Sequence, residues 1–371
     1  VNAFPIIYRS HLYIRGEADS IMGNYIFDTG ASNFYYDSTY FSHNNFHYTD
    51  IFTAKLPGAG TTVQNVEVVH DTVNFRFGKY LYQTDNVPVL KLKPITGDIA
   101  DGIIGMEYFS NSVLEINYEK EYMCLYSSID SVDVSTYSKL ELTRENNRLF
   151  VPMQVKINDT LNITGLYQLD FGAGGTISLT SSTTKSYKLL DNIQNKTAFF
   201  TKYGGVGGES SSYDFLAASI QIGDFVFNNV TMDFSVDKSG AMSSEKHFGL
   251  LGNAIYSRFS VILDFINNDI YLKPSSKYNE PFEFSRLGFS YVDRNQTMDA
   301  WIVTGLYSGS NAENQGLRID DRIISVNGIS IHDISYESQK EFFKELSNIV
   351  LTLTRNKELI NISFDLEPIQ L

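Results

Sequence analysis

The stretch Gly23-Asn24-Tyr25-Ile26-Phe27-Asp28-Thr29-Gly30-Ala31 decides the reading of this chain, because it recurs 142 residues later as Gly165-Leu166-Tyr167-Gln168-Leu169-Asp170-Phe171-Gly172-Ala173. A second pair lies downstream of each copy. Asp101-Gly102-Ile103-Ile104-Gly105 matches Phe248-Gly249-Leu250-Leu251-Gly252, and an alternating strand pair follows in both places. Two similar halves of about 140 residues mean duplication, and the period is far too long for a solenoid. The pattern predicts two homologous lobes meeting at a pseudo-two-fold axis.

Composition sets the fold class. The chain has 24 Tyr and 26 Phe, and aromatic side chains pack well on a pleated face. Within each half, short apolar runs are separated by Gly, Asn and Asp turns, the pattern of an all-β barrel or sandwich. Asn267-Asn268 predicts a hairpin turn. The expected organisation is mainly β: one lobe over residues 1–136, a second over 137–277, and a different unit over 282–371 after the polar linker that begins at Lys273-Pro274-Ser275-Ser276-Lys277. In the tail, Phe342, Phe343, Leu346 and Ile349 fall on helical spacing, predicting a helix over Ser335 to Asn348. A hairpin over Ile349 to Thr354 and Leu359 to Phe364 should turn at Asn356-Lys357.

Asp28 and Asp170 are the candidate chemistry. An aspartate at the end of an apolar strand, before a tight turn, points into whatever lies at that strand end. A pseudo-two-fold would bring the two face to face. Taken singly, each could merely cap a turn; the matched repeat contexts favour a pair. Two close carboxyls cannot both ionise cheaply, so they share one proton. One then serves as general base on a water and the other as general acid, a way to attack an amide without a covalent intermediate or a metal. Glycine-rich loops lie between the paired motifs, Pro57-Gly58-Ala59-Gly60 in the first half and Gly204-Gly205-Val206-Gly207-Gly208 in the second. The second has no following Lys-Ser/Thr, so a hairpin tip is the better reading than a phosphate cradle.

At these residues the chain resembles the aspartic proteases, of pepsin-like bilobal organisation with retroviral features. Asp28-Thr29-Gly30-Ala31-Ser32 looks like the family signature, and Ile103-Ile104-Gly105 and Leu250-Leu251-Gly252 look like the segments that support its catalytic loops. The resemblance covers about residues 5 to 275. It implies a cleft between lobes, hydrolysis of peptides bound in extended form, Asp28 and Asp170 as catalytic pair, Thr29, Gly30, Phe171 and Gly172 as loop supports, and flaps at Gly58, Gly60, Gly204 and Gly205. In the family each loop threonine hydroxyl locks onto the opposite loop. Thr29 can do this and Phe171 cannot. Ala31 and Ala173 stand where pepsins carry a hydroxyl, which predicts a higher-titrating pair and a mildly acidic to near-neutral optimum. The rival reading is a catalytically lapsed peptide-binding protein.

The tail resembles a PDZ domain. Arg286-Leu287-Gly288-Phe289 looks like its carboxylate-binding loop, with Leu287, Gly288 and Phe289 receiving a peptide C-terminus. Gln315-Gly316-Leu317 through Val326-Asn327-Gly328 is similar to the run that follows in bacterial examples, with Asp320 in place of a glycine. Such domains bind peptides by strand addition beside a helix. The linker suggests an independent unit whose removal, from about Glu280 onward, would leave short-peptide cleavage nearly unchanged.

The remaining features exclude more than they assign. A net charge of −14 repels phosphate backbones and anionic lipid, so nucleic acid is a poor partner. No run of about 18 apolar residues suggests a transmembrane helix. The single cysteine, Cys124, sits in an apolar run and reads as a buried thiol. His43 and His47 flank Asn44-Asn45, which reads as a loop rather than a metal site, and no cofactor is expected. Trp301 reads as core of the last unit. Both carboxyls lie on one chain, so a monomer acting on a peptide or protein substrate is expected. An extracytoplasmic location is the expectation for compartment.

Overall fold

The strands that end at the two aspartates account for the duplication. In the computed structural model, which describes residues 3–57 and 63–371, strand Gly102–Gly105 lies between two others. It runs parallel to Ile21–Asp28, with Gly102 opposite Tyr25 and Gly105 opposite Asp28. It runs antiparallel to Phe34–Asp37. Strand Gly249–Leu251 sits the same way, parallel to Asn162–Leu169 and antiparallel to Ile177–Leu179. Tyr25 and Phe27 face the large core while Ile26 faces a second apolar cluster. A strand covered on both faces needs apolar residues at successive positions, which is what Tyr25-Ile26-Phe27 supplies.

The halves join through equivalent strands. Val113–Asn117 pairs antiparallel with Phe259–Asp264, Val113 opposite Asp264 and Asn117 opposite Ser260. One sheet therefore crosses from half to half, and one large hydrophobic core spans both. Antiparallel pairing of two equivalent strands is the self-complementary contact that a two-fold relation produces. The Asn267-Asn268 turn forms as expected, with Asn268 at φ 58° and the Asp264 carboxylate accepting from the Ile266 and Asn267 amides, each at 3.0 Å.

The tail has its own core around the fully buried Trp301. Its helix is shorter than expected, Tyr336–Lys344, capped by Ser335. It stops early because the Arg286 guanidinium takes the Lys344 and Leu346 carbonyls at 3.0 and 3.1 Å, turning the chain toward strand Asn348–Arg355. The hairpin turns at Asn356-Lys357, both at positive φ.

The expectation of a free-standing tail is corrected by its docking. Arg258 of the second half holds the linker carbonyls of Lys277 and Tyr278 at 3.3 Å each, and its guanidinium stacks on Phe282 at 3.8 Å. Strand Thr197–Thr201 of the second half pairs antiparallel with tail strand Ala300–Tyr307, Phe199 opposite Tyr307 and Thr201 opposite Gly305. Thr197–Thr201 is also one arm of the hairpin whose tip is Gly204–Gly208. An open strand edge recruits a partner, and here the partner is the tail. Lys202 and Tyr203 both reach Asp320. The first half grips the tail as well. Asp98 pairs with Arg294 at 2.8 Å and accepts from the Gln296 and Thr297 amides at 2.9 Å, and Arg9 pairs with Glu337 while lying over the Tyr336 ring.

Deleting residues 280–371 should speed hydrogen exchange at the Thr197–Thr201 amides while strands Arg148–Lys156 and Asn162–Leu169 stay protected. Unchanged exchange at Thr197–Thr201 would show that the tail does not brace this hairpin.

Asp214 and Asp233 are cross-strand partners at the root of the hairpin, bonded to Tyr307 Oη at 2.7 Å and Ser178 Oγ at 2.6 Å respectively. Burial pushes their carboxyls up to about 6 and about 7. Unfolded, both would titrate near 3.8. The folded state thus binds protons more tightly between those limits, so this contribution to stability is complete below about pH 4 and is lost as pH rises toward 7. Melting temperature should fall less between pH 5 and 8 for Asp233→Asn than for the wild type; parallel curves would refute the assignment.

Candidate active site

The two aspartates meet. A methyl group placed on Gly30 would sit 2.9 Å from Asp28 Oδ1 and 3.1 Å from Asp170 Oδ1, and one on Gly172 would sit 2.3 Å from the Asp28 carboxyl carbon. Each glycine therefore leaves room for a carboxyl of the other half, which no larger residue could do. The loops are drawn tight by their own backbones. Gly30 and Ala31 amides donate to Asp28 Oδ1 at 2.6 and 3.1 Å, and the Gly172 amide to Asp170 Oδ1 at 2.9 Å.

The two halves lock by different chemistry. The buried Thr29 hydroxyl donates to the Leu169 carbonyl at 2.7 Å and accepts from the Phe171 amide at 3.0 Å. In the opposite direction Phe171 offers a fully buried ring, stacked on Tyr256 at 4.2 Å and tilted against Phe27 at 5.4 Å. Asn253 braces this second loop. Its amide donates to the Phe171 and Ala173 carbonyls at 2.6 and 3.1 Å, and its side-chain carbonyl accepts from Tyr118 Oη at 2.7 Å. Gly105 and Gly252 pass so close to the loops that an added methyl would meet Ser32 backbone at 2.4 Å and Gly175 backbone at 2.5 Å.

Both carboxyls are half-buried at the junction of the halves. Burial raises Asp170 to about 8, helped by the charge of Asp28. Burial also raises Asp28, but the Gly30 amide, the Arg148 guanidinium and the Ala31 amide pull it back. Two amides donate to the Asp28 carboxyl and one to that of Asp170, and two carboxyls this close share one proton as a pair. Such a pair can take a proton from a water on one side and give one to a carbonyl oxygen on the other.

The hairpin tip Gly204–Gly208 reaches across from the second half, and Val206 packs on the same first-half apolar cluster as Ala31, Tyr35 and Leu56. Gly205, Gly207 and Gly208 take positive φ there. Gly58 and Gly60 of the first-half loop lie outside the described residues. Cys124 is buried, and His43 and His47 are exposed. Among the described residues no cluster of three or more His, Cys, Asp or Glu side chains is placed to hold a metal ion, and no helix is long and apolar enough to cross a membrane.

Sequence reasoning missed Arg148, Asn253, Tyr256 and the buried Lys93, whose ammonium bonds the Asp98 and Ala100 carbonyls and Asp101 to hold helix Lys93–Thr96 against the tail. Asn253 could have been found, because it directly follows the Leu250-Leu251-Gly252 motif. Arg148 carries no motif of its own.

In the tail, strand Phe289–Arg294 follows the Leu287-Gly288 loop, with Gly288 at φ 75°. One edge pairs with Ala300–Tyr307, and the other faces helix Tyr336–Lys344, where Tyr291 Oη donates to Gln339 Oε1 at 2.8 Å. At the far end of that edge the Asp98 amide already donates to the Asp293 carbonyl. A search among curated proteins finds no match to the chain. The family profile of the PDZ domain matches residues 279–354. These residues form a PDZ domain, a module that suggests peptide binding.

Proposed function

We propose that this chain is an aspartic-type endopeptidase in which Asp28 and Asp170 activate one water. The observation that carries the reading is the convergence of two carboxyls, from equivalent positions of a duplicated strand arrangement, on a single point beside Gly30. A water there loses a proton to ionised Asp28 as its oxygen attacks the peptide carbonyl carbon, while Asp170 gives its proton to the carbonyl oxygen. The gem-diol intermediate then collapses: the C–N bond breaks, a diol proton returns to Asp170, and Asp28 delivers its proton to the leaving amine. The acid-protease character of the lobes is part of this proposal, as is action by a monomer, supported by both carboxyls lying on one chain.

The rival, a lapsed enzyme that binds peptides through its cleft and PDZ groove, rests on Phe171. The ring stack on Tyr256 argues against it, because apolar packing holds the second loop where a hydroxyl would otherwise do so.

Asp28→Asn and Asp170→Asn should each lower peptide cleavage by at least about 100-fold without changing the melting profile's cooperativity. The double variant should be no worse than either single one, because the pair acts as a unit. Full turnover by either single variant would sink the assignment.

Activity should rise as the pair loses its first proton and fall as it loses the second, both steps raised by burial, a bell with a mildly acidic to near-neutral optimum. Phe171→Thr should lower stability, since it empties the space between Tyr256 and Phe27 (about 3–5 kcal/mol for a buried ring lost to a small residue), and should not raise activity. Rate profiles of both proteins from pH 3 to 9 check this. A silent wild type beside an active Phe171→Thr would establish the lapsed-enzyme reading instead.

A further inference from the structure

The relation between the halves pairs one basic residue on each side of the carboxyls. Tyr13 stands opposite Ile26, and Phe150 opposite Gln168. Ile26 and Gln168 each precede their aspartate by two residues, so Tyr13 and Phe150 are equivalent, and so are His11 and Arg148, each two residues earlier. Both reach the loop of the opposite half four residues past its aspartate. Arg148 Nη1 donates to Ser32 Oγ at 3.2 Å. On the other side, a methyl on Gly174 would lie 3.2 Å from Ser10 Cβ and 3.4 Å from His11 Cε1.

The two positions match in backbone and differ in charge. Burial pushes His11 down to about 4, which leaves it neutral above that pH. Arg148 is always a cation. It is half-buried, its bonds go to Ser32 and to its own neighbour's carbonyl, Asn147 O at 3.2 Å, and among the described residues it makes no ion pair with a carboxylate. A guanidinium has five donors in a planar fork suited to a carboxylate; the bonds to Ser32 and Asn147 both come from Nη1, which leaves the rest of the fork for a carboxylate beside the pair whose charge it already feels.

We propose that Arg148 is a specificity residue that receives the side chain of an Asp or Glu of the bound peptide on one side of the scissile bond, while the His11 side takes an uncharged residue. This rests on the proposed peptidase reading, which it sharpens to acidic peptides. The same guanidinium holds both catalytic carboxyls lower than burial alone would leave them, so its removal should move both limbs of the rate profile to higher pH, a shift that a merely structural role would not give.

The test is cleavage of a peptide library by the intact protein, read as residue enrichment at each position around the cut. Wild type should favour Asp or Glu over Asn or Gln at one flanking position by about 10- to 100-fold, the range of one charge-assisted hydrogen bond. Arg148→Gln should cut the acidic and amide peptides at similar rates, and Arg148→Lys should keep part of the preference. A wild type that cuts without acid preference, or a preference that survives in Arg148→Gln, overturns the proposal. Binding of paired acidic and amide peptides to Asp28→Asn by fluorescence anisotropy separates the two readings. Should wild type cut nothing, tighter binding of the acidic peptide that disappears with Arg148→Gln upholds this site and rejects the peptidase; equal binding of both peptides rejects this site.

Discussion

Two carboxyl groups around one point, at a half-buried junction, repel each other and lose hydration. The surrounding structure is organised to hold that arrangement together. Glycines at 30 and 172 make the approach sterically possible, backbone amides donate to both carboxyls, and a pair so close favours sharing one proton. The cross-lock through Thr29 matters because it ties the two loops by a hydroxyl that gives and takes a hydrogen bond at full burial. Breaking such a bridge leaves buried polar groups unsatisfied, costing about 1–3 kcal/mol for each group.

The two halves have diverged around this common frame. The first loop is held by hydrogen bonding and the second by an aromatic stack plus the Asn253 brace. Asp28 has two amide donors and Asp170 one. Arg148 on one side answers a neutral His11 on the other. Each difference lowers the symmetry of the site, giving the two carboxyls and the two flanking loops unlike surroundings.

The PDZ domain is part of the same mechanical unit. The hairpin that reaches over the junction through Val206 continues, by backbone pairing, into strand Ala300–Tyr307, and that strand pairs with Phe289–Arg294, the strand that follows the Leu287-Gly288 loop. A peptide added at the groove would extend this sheet by one strand, two strands away from the hairpin. The first half also closes the far end of that edge through Asp98. The Phe289–Arg294 edge and the junction are thus linked by continuous backbone pairing.

Much of this was legible in the residues. The repeat around Asp28 and Asp170 fixes duplication, because two copies of an apolar run ending in aspartate and a glycine turn demand the same local structure. The Arg286-Leu287-Gly288-Phe289 run announced the last domain, and alternation announced its hairpin. These are short-range signals, carried by turn chemistry and periodicity. What lay outside them was whatever depends on distant residues meeting. No local pattern says that Arg148 reaches Ser32, that Phe171 finds Tyr256, or that a polar linker is pinned by Arg258. The docking of the tail on an open strand edge was equally hidden, since an edge exists only once the sheet has formed. The sequence by itself determined the repeated halves, the candidate pair and the added domain; tertiary packing decided the surroundings of each carboxyl, how the loops lock and what braces the hairpin, because burial and charge are set by neighbours far apart along the chain.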